Sequence, residues 1–302
     1  MSESLVVTGA LSRTPAADVR VDLRRRLQLA LGAIWLLDGL LQYQPAMFGK
    51  AFPSMLADAA AGNPAPVATP ITWSASFIGH HLTISNGAFA TIQVLLGLGI
   101  AFRRSVKPAL AASVVWALGV WWLGEGLGGV LTGSASPLLG APGAVLLYAV
   151  LAVLVWPGER DADAAFVAGR TLGAGAARVS WVATWGAMAV LAALPGSVEA
   201  VHSGIAASDA GQPGWLAWLG THAASALSSG GLVFAVLIAV IACGVYLPSA
   251  SAVRVVVGLT VVLAGLIWLV EGLGGLLTGG GTDPDSGPLL VLLALAYWPV
   301  TQ

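Results

Sequence analysis

Apolar residues run through this chain in long blocks, broken by short clusters of arginine, proline and glycine. Crossing about 30 Å of hydrocarbon takes roughly 17–25 such residues. The blocks that approach this length lie near 27–43, 78–102, 108–130, 142–157, 179–195, 219–247, 252–275 and 287–300. The pattern therefore predicts an all-α, polytopic membrane protein of eight transmembrane helices, the fourth and eighth short for a full span. A cleaved signal peptide is not expected, because the first block runs on into Gln42-Tyr43-Gln44-Pro45 with no small-residue cleavage pattern after it.

The blocks repeat. From Glu125 the chain reads EGLGGVLTG and from Glu271 EGLGGLLTG, differing at one position. Each copy follows a tryptophan three residues earlier, Trp122 or Trp268, and leads through a proline-bearing turn and an apolar run to Trp156-Pro157 or Trp298-Pro299. Gly79-His80-His81 in the first half answers to Gly220-Thr221-His222 in the second. Self-similarity of this kind marks an internal duplication. The predicted organisation is an N-terminal tail over 1–26, a first four-helix repeat over 27–157, a polar linker over 158–178 and a second four-helix repeat over 179–302. An even number of spans per unit makes the repeats parallel, related by an axis along the membrane normal.

Composition agrees: of 302 residues 57% are hydrophobic and 9% charged, where a soluble domain carries roughly a quarter charged. Thirteen basic residues against fourteen acidic ones leave no positive field for nucleic acid. The single cysteine, Cys243, excludes a disulfide within the chain and a cysteine-ligated metal site. Distribution of charge is more telling than its sum. With the N-terminus in the cytoplasm, the cytoplasmic segments hold every Lys and Arg except Lys50, as the positive-inside rule requires. Both termini are then cytoplasmic in a cell membrane, bacterial by expectation, and both EGLGG motifs face outward.

The candidate chemistry lies on that outer side. Glu125 and Glu271 close their helices at the C-terminal end, where the dipole disfavours a negative charge. They suit a proton, cation or polar-ligand site, with the bland alternative that both merely reach water. His80, His81, His202 and His222 also fall outside, and with the glutamates they could ligate a transition metal or haem; interfacial histidines bonded to loops are the alternative. Asp38 sits about 16 Å into the first span, where an ionised carboxylate costs at least about 2.5–3.5 kcal/mol. It needs a partner or a wet cavity, and Gln42, Asn86 and Gln93 are in reach. Thr132 and Thr278 follow the glutamates by seven residues, on the same face if the helix continues. Asp283 and Asp285 read as a solvated turn, and Trp181 and Trp185 as part of an inner aromatic belt.

The first helix, Arg26-Leu27 through Leu31-Gly32-Ala33-Ile34-Trp35-Leu36-Leu37-Asp38-Gly39, followed by a proline and Met47-Phe48, resembles the DoxX/DoxD group of four-helix membrane proteins. So does the glycine-rich second helix ending in Arg103-Arg104. The resemblance implies a four-span unit and, for some members, a membrane subunit of a quinone-linked oxidoreductase with a redox partner subunit. The leading expectation is a membrane component binding a small ligand, quinone or metal cofactor on its outward side, in redox or envelope homeostasis. The alternative is a cation- or proton-coupled transporter with the EGLGG breaks as gate and Asp38 as coupling acid. No sequence motif assigns an enzymatic reaction.

Overall fold

A computed structural model describes residues 15–208 and 211–300; Arg13 and the first part of the predicted tail lie outside these. The helices are α1 (Pro15–Gln42), α2 (Ala51–Asp58), α3 (Ala65–His80), α4 (Leu82–Ala101), α5 (Val106–Leu123), α6 (Ala144–Leu154), α7 (Val167–Leu172), α8 (Ala174–Ala193), α9 (Pro195–Ser208), α10 (Gly214–Gly244), α11 (Ala250–Val270) and α12 (Ser286–Ala296). Among the described residues there is no strand. The chain is an all-α, membrane-embedded protein.

Among the described residues four helices are long and apolar enough to cross a bilayer, α4, α5, α8 and α11. α10 makes a fifth if its parts, Gly214–Ala226 and Gly230–Gly244, whose axes differ by 94°, count as one span. This departs from eight uniform spans for identifiable reasons. α1 is long enough, but Arg25, Arg26, Asp38 and its glutamines dilute its hydropathy. α6 and α12 have 11 residues each, about 16 Å of rise, half the hydrocarbon thickness. Both are buried nearly all round and pack against each other, joining α1, α5, α8 and α11 in one continuous core. A short helix that is apolar on every side is a core helix of the protein.

One end of the bundle is basic. Arg25 donates to the carbonyls of Ile100 (3.0 Å) and Ala101 at the end of α4, Gln28 to Val155 O (2.9 Å) after α6, and Arg254 to Pro299 O (3.3 Å) after α12. All three satisfy carbonyls at or just past helix ends, and the two arginines also meet the negative ends of helix dipoles. The predicted linker is folded at this end: α7 buries Arg170, which pairs with Glu159. Trp181 and Trp185 are not in a belt. They are 1% and 0% exposed in the core, with Trp181 Nε1 donating to Ile241 O at 3.0 Å.

Candidate functional site

At the other end each EGLGG motif makes the same turn. Gly126, Leu127, Gly128 and Gly129 have φ of 56°, 59°, 63° and 67°, and Gly272, Leu273, Gly274 and Gly275 have 70°, 57°, 66° and 64°. Four consecutive left-handed residues cost an L-amino acid roughly 1–2 kcal/mol each, which is why three of the four are glycine. The turn ends the transmembrane helix, so Thr132 and Thr278 do not continue its face. Each instead donates to the motif's last glycine, Thr132 Oγ1 to Gly129 O (2.7 Å) and Thr278 Oγ1 to Gly275 O (2.9 Å). They stitch the turn.

The reversal changes what the glutamates do. Glu125, just beyond the end of α5, accepts from Val145 N (3.0 Å) at the start of α6. Glu271, just beyond α11, accepts from Ser286 Oγ and from Gly287 N (3.3 Å) at the start of α12. Each carboxyl therefore leaves an unfavourable helix C-terminus for the favourable N-terminus of the next helix, and both are turned inward rather than to water. Burial pushes Glu125 up to about 8, the Asp283 carboxyl adding to it and the Val145 and Ala144 N–H groups opposing. Glu271 is likewise pushed up to about 8 by burial, against its Ser286 and Gly287 bonds.

Beside the first turn lies a cavity of about 730 Å³, bounded by α1, α3, α4 and α5 and within the range that holds a drug-sized molecule. α3 roofs it, packing Val67 and Ile71 near Leu127 at one end and Ile78 near Leu82 and Phe89 at the other. The lining is aromatic and aliphatic, with Trp35, Trp73, Phe77 and Trp116 among it. Trp73 and Val115 are 69% and 73% exposed, so the cavity reaches the surface between α3 and the middle of α5.

Four polar atoms at this cavity are buried without a hydrogen-bond partner: Asp38 Oδ1, Gln93 Oε1, Trp116 Nε1 and Glu125 Oε2. Asp38 is 1% exposed, and its other oxygen accepts from Tyr148 OH on α6. Tyr148 in turn rests on Trp35, ring centroids 4.1 Å apart. The amides expected beside Asp38 are arranged differently: Gln42 and Asn86 bond each other, Asn86 Nδ2 donating to Gln42 O at 2.9 Å, and Gln93 faces the cavity. Tyr148 was not legible as the partner. Its only sequence signal is a phenol inside an apolar run, which must find an acceptor when buried.

The second half closes this site. Gln44 donates to Gly281 O at 3.2 Å, and Thr282 and Asp283 reach the cavity wall. The turn expected to be solvated is therefore folded inward, with Asp283 Oδ1 accepting from Asp285 N at 2.8 Å. Burial raises both carboxyls, Asp285 the more.

The histidines do not join the glutamates. His80, His81, His202 and His222 are exposed, and the Nδ1 atoms of His80, His202 and His222 lie 2.7, 3.0 and 2.7 Å from carbonyls of Ser76, Val198 and Trp218 one turn back. The His81 ring packs at a tilt against Phe77, centroids 4.8 Å apart. Among the described residues no three His, Cys, Asp or Glu side chains are grouped so as to hold a metal ion.

Comparison of the chain with known protein families, with curated proteins and with solved structures finds no match.

Proposed function

We propose that this protein binds a small amphipathic molecule drawn from the bilayer, its polar end among Asp38, Gln93, Trp116 and Glu125 and its apolar body on the aromatic wall. The observation that carries this reading is the convergence of four unpartnered buried polar atoms on one largely apolar cavity. Each such atom costs roughly 1–3 kcal/mol when left unsatisfied, and a ligand's polar groups would satisfy them. The mouth beside Val115, at the middle of an 18-residue span, opens at hydrocarbon depth, so the route of entry is the lipid phase. The resemblance to DoxX/DoxD proteins points to a quinone and to redox or envelope homeostasis as the setting. For the transporter alternative, the EGLGG gates would have to break the glutamate bonds that hold α6 and α12.

In this reading the chain is two parallel four-helix repeats in a bacterial cytoplasmic membrane, with the basic end in the cytoplasm and the cavity toward the outside. The matching left-handed turns and matching glutamate bonds support the duplication; the basic residues at one end support the orientation.

Gly119 lines the cavity, and a Cβ placed there meets nothing within 4 Å. Gly119→Phe should therefore fill the cavity without disturbing the fold. The protein purified in mild detergent is expected to yield a stoichiometric amphipathic small molecule on organic extraction and mass spectrometry, with occupancy reduced about tenfold in Gly119→Phe of unchanged thermal stability. Equal occupancy in both proteins, or none in either, would sink the proposal.

A further inference from the structure

The charge and hydrogen-bonding pattern of the cavity narrows the ligand class. Three of the four unpartnered atoms are acceptors, Asp38 Oδ1, Gln93 Oε1 and Glu125 Oε2; one, Trp116 Nε1, is a donor. Three carboxyl groups line the wall, Asp38, Glu125 and Asp283, and no Lys, Arg or His does. The remaining titratable groups that face them are of the same kind: Tyr148 on α6, Glu271 at the end of α11 and Asp285 before α12. Aromatic faces, which attract cations through their quadrupoles, make up much of the rest. A neutral quinone presents acceptors, which the Trp116 N–H and a protonated carboxyl can answer, but it gives an ionised Asp38 or Glu125 no counter-charge. A positively charged head with an apolar body answers the acids, the acceptors and the aromatic rings together.

We propose that the cavity selects a lipophilic organic cation, an amine or quaternary centre on an apolar body, with its charge between Asp38 and Glu125. The inference rests on the ligand-binding reading above and names its chemical class. Asp38 is nine-tenths buried, unpartnered at one oxygen and part of the cavity wall, which distinguishes the site from a merely acidic cluster. Binding carries a proton balance. A cation that arrives at a protonated carboxyl leaves it ionised, and the proton passes to water on the same side. With Glu125 held up to about 8, a permanently charged ligand should bind more tightly as pH rises, by up to about tenfold per unit below 8, and level off above it.

Tetraphenylphosphonium and tetraphenylborate have the same shape and opposite charge, so their comparison on the wild-type protein needs no variant. Equilibrium dialysis of the detergent-solubilised full chain, corrected for empty micelles, is expected to show saturable binding of the phosphonium and about tenfold or more weaker binding of the borate. Asp38→Asn and Glu125→Gln, each checked for thermal stability, should each weaken phosphonium binding about tenfold or more and flatten its pH dependence. Equal binding of both ions, or phosphonium binding indifferent to both substitutions, overturns the cation assignment. If a neutral quinone is instead extracted and lost in Gly119→Phe, the cation assignment fails and the ligand-binding reading stands. Absence of bound probe and of any extracted molecule overturns both.

Discussion

Alanine at Gly128 or Gly274 is expected to lower the apparent melting temperature in detergent by about 10 °C, corresponding to a loss of about 3–5 kcal/mol. Both glycines are left-handed, with φ of 63° and 66°, and a side chain there costs roughly 1–2 kcal/mol in conformation alone. Space makes it worse. A Cβ on Gly128 would run into the carbonyl of Pro142, and one on Gly274 would come within 2.7 Å of Asp283 O and of the Pro284 backbone. These are backbone atoms of the segments that lead into α6 and α12, so they cannot yield by a rotamer change. Relief would have to move the two core helices. Gly119→Ala is the control, since its added carbon meets nothing and its helix gains roughly 0.5–1 kcal/mol from the substitution. Similar melting of Gly119→Ala and Gly128→Ala would contradict the account of the turn.

The second large effect concerns the glutamates. Glu125→Ala and Glu271→Ala should each cost about 2–4 kcal/mol, because each removes a cap and leaves the N–H of Val145 or Gly287 unsatisfied away from water. Glutamine keeps an acceptor oxygen and should cost less. The charge state gives a signature that a neutral cap lacks. Both carboxyls are raised from the ordinary glutamate value near 4.5 to about 8 in the fold. A raised carboxyl contributes stability that is complete below its unfolded value and is lost as pH rises toward the folded value. The neighbouring Asp283 and Asp285, raised by burial, act in the same direction. Melting temperature should therefore fall between pH 5 and pH 8 and flatten above, and the Glu125→Gln/Glu271→Gln double variant should show a shallower fall. A wild-type protein that melts at the same or higher temperature at pH 9 than at pH 5 would refute the assignment.

Legibility in the chain follows the range of the interaction. The GLGG runs announce themselves because left-handed backbone demands glycine locally, and a demand made twice shows as a repeat. Asp38 stands out because its cost in an apolar block is set by the block itself. Glu125 and Glu271 end a helix, as the chain suggests, and only the reversal of the turn reveals that their carboxyls also bond the start of the next one. Likewise α6 and α12 resemble short membrane spans, since an 11-residue apolar run has the same composition whether lipid or protein surrounds it. Trp181 and Trp185 resemble belt residues for the same reason. The pairing of Asp38 with Tyr148 joins positions 110 residues apart and leaves no local trace.

By itself, the order of residues determined helical class, membrane embedding, the clustering of basic residues in a few polar segments and the two matched glycine runs. All of these are decided by the solvent a segment prefers or by the φ a residue tolerates, properties carried within a few positions. Tertiary structure alone decided that the glutamates cap the core helices and that the histidines stay apart. It alone made a cavity of Asp38, Gln93, Trp116 and Glu125, walled on one side by Asp283 from the other half. Those outcomes depend on which helix faces meet, and apolar helices can meet in many ways at nearly equal cost until the few polar atoms they carry find partners.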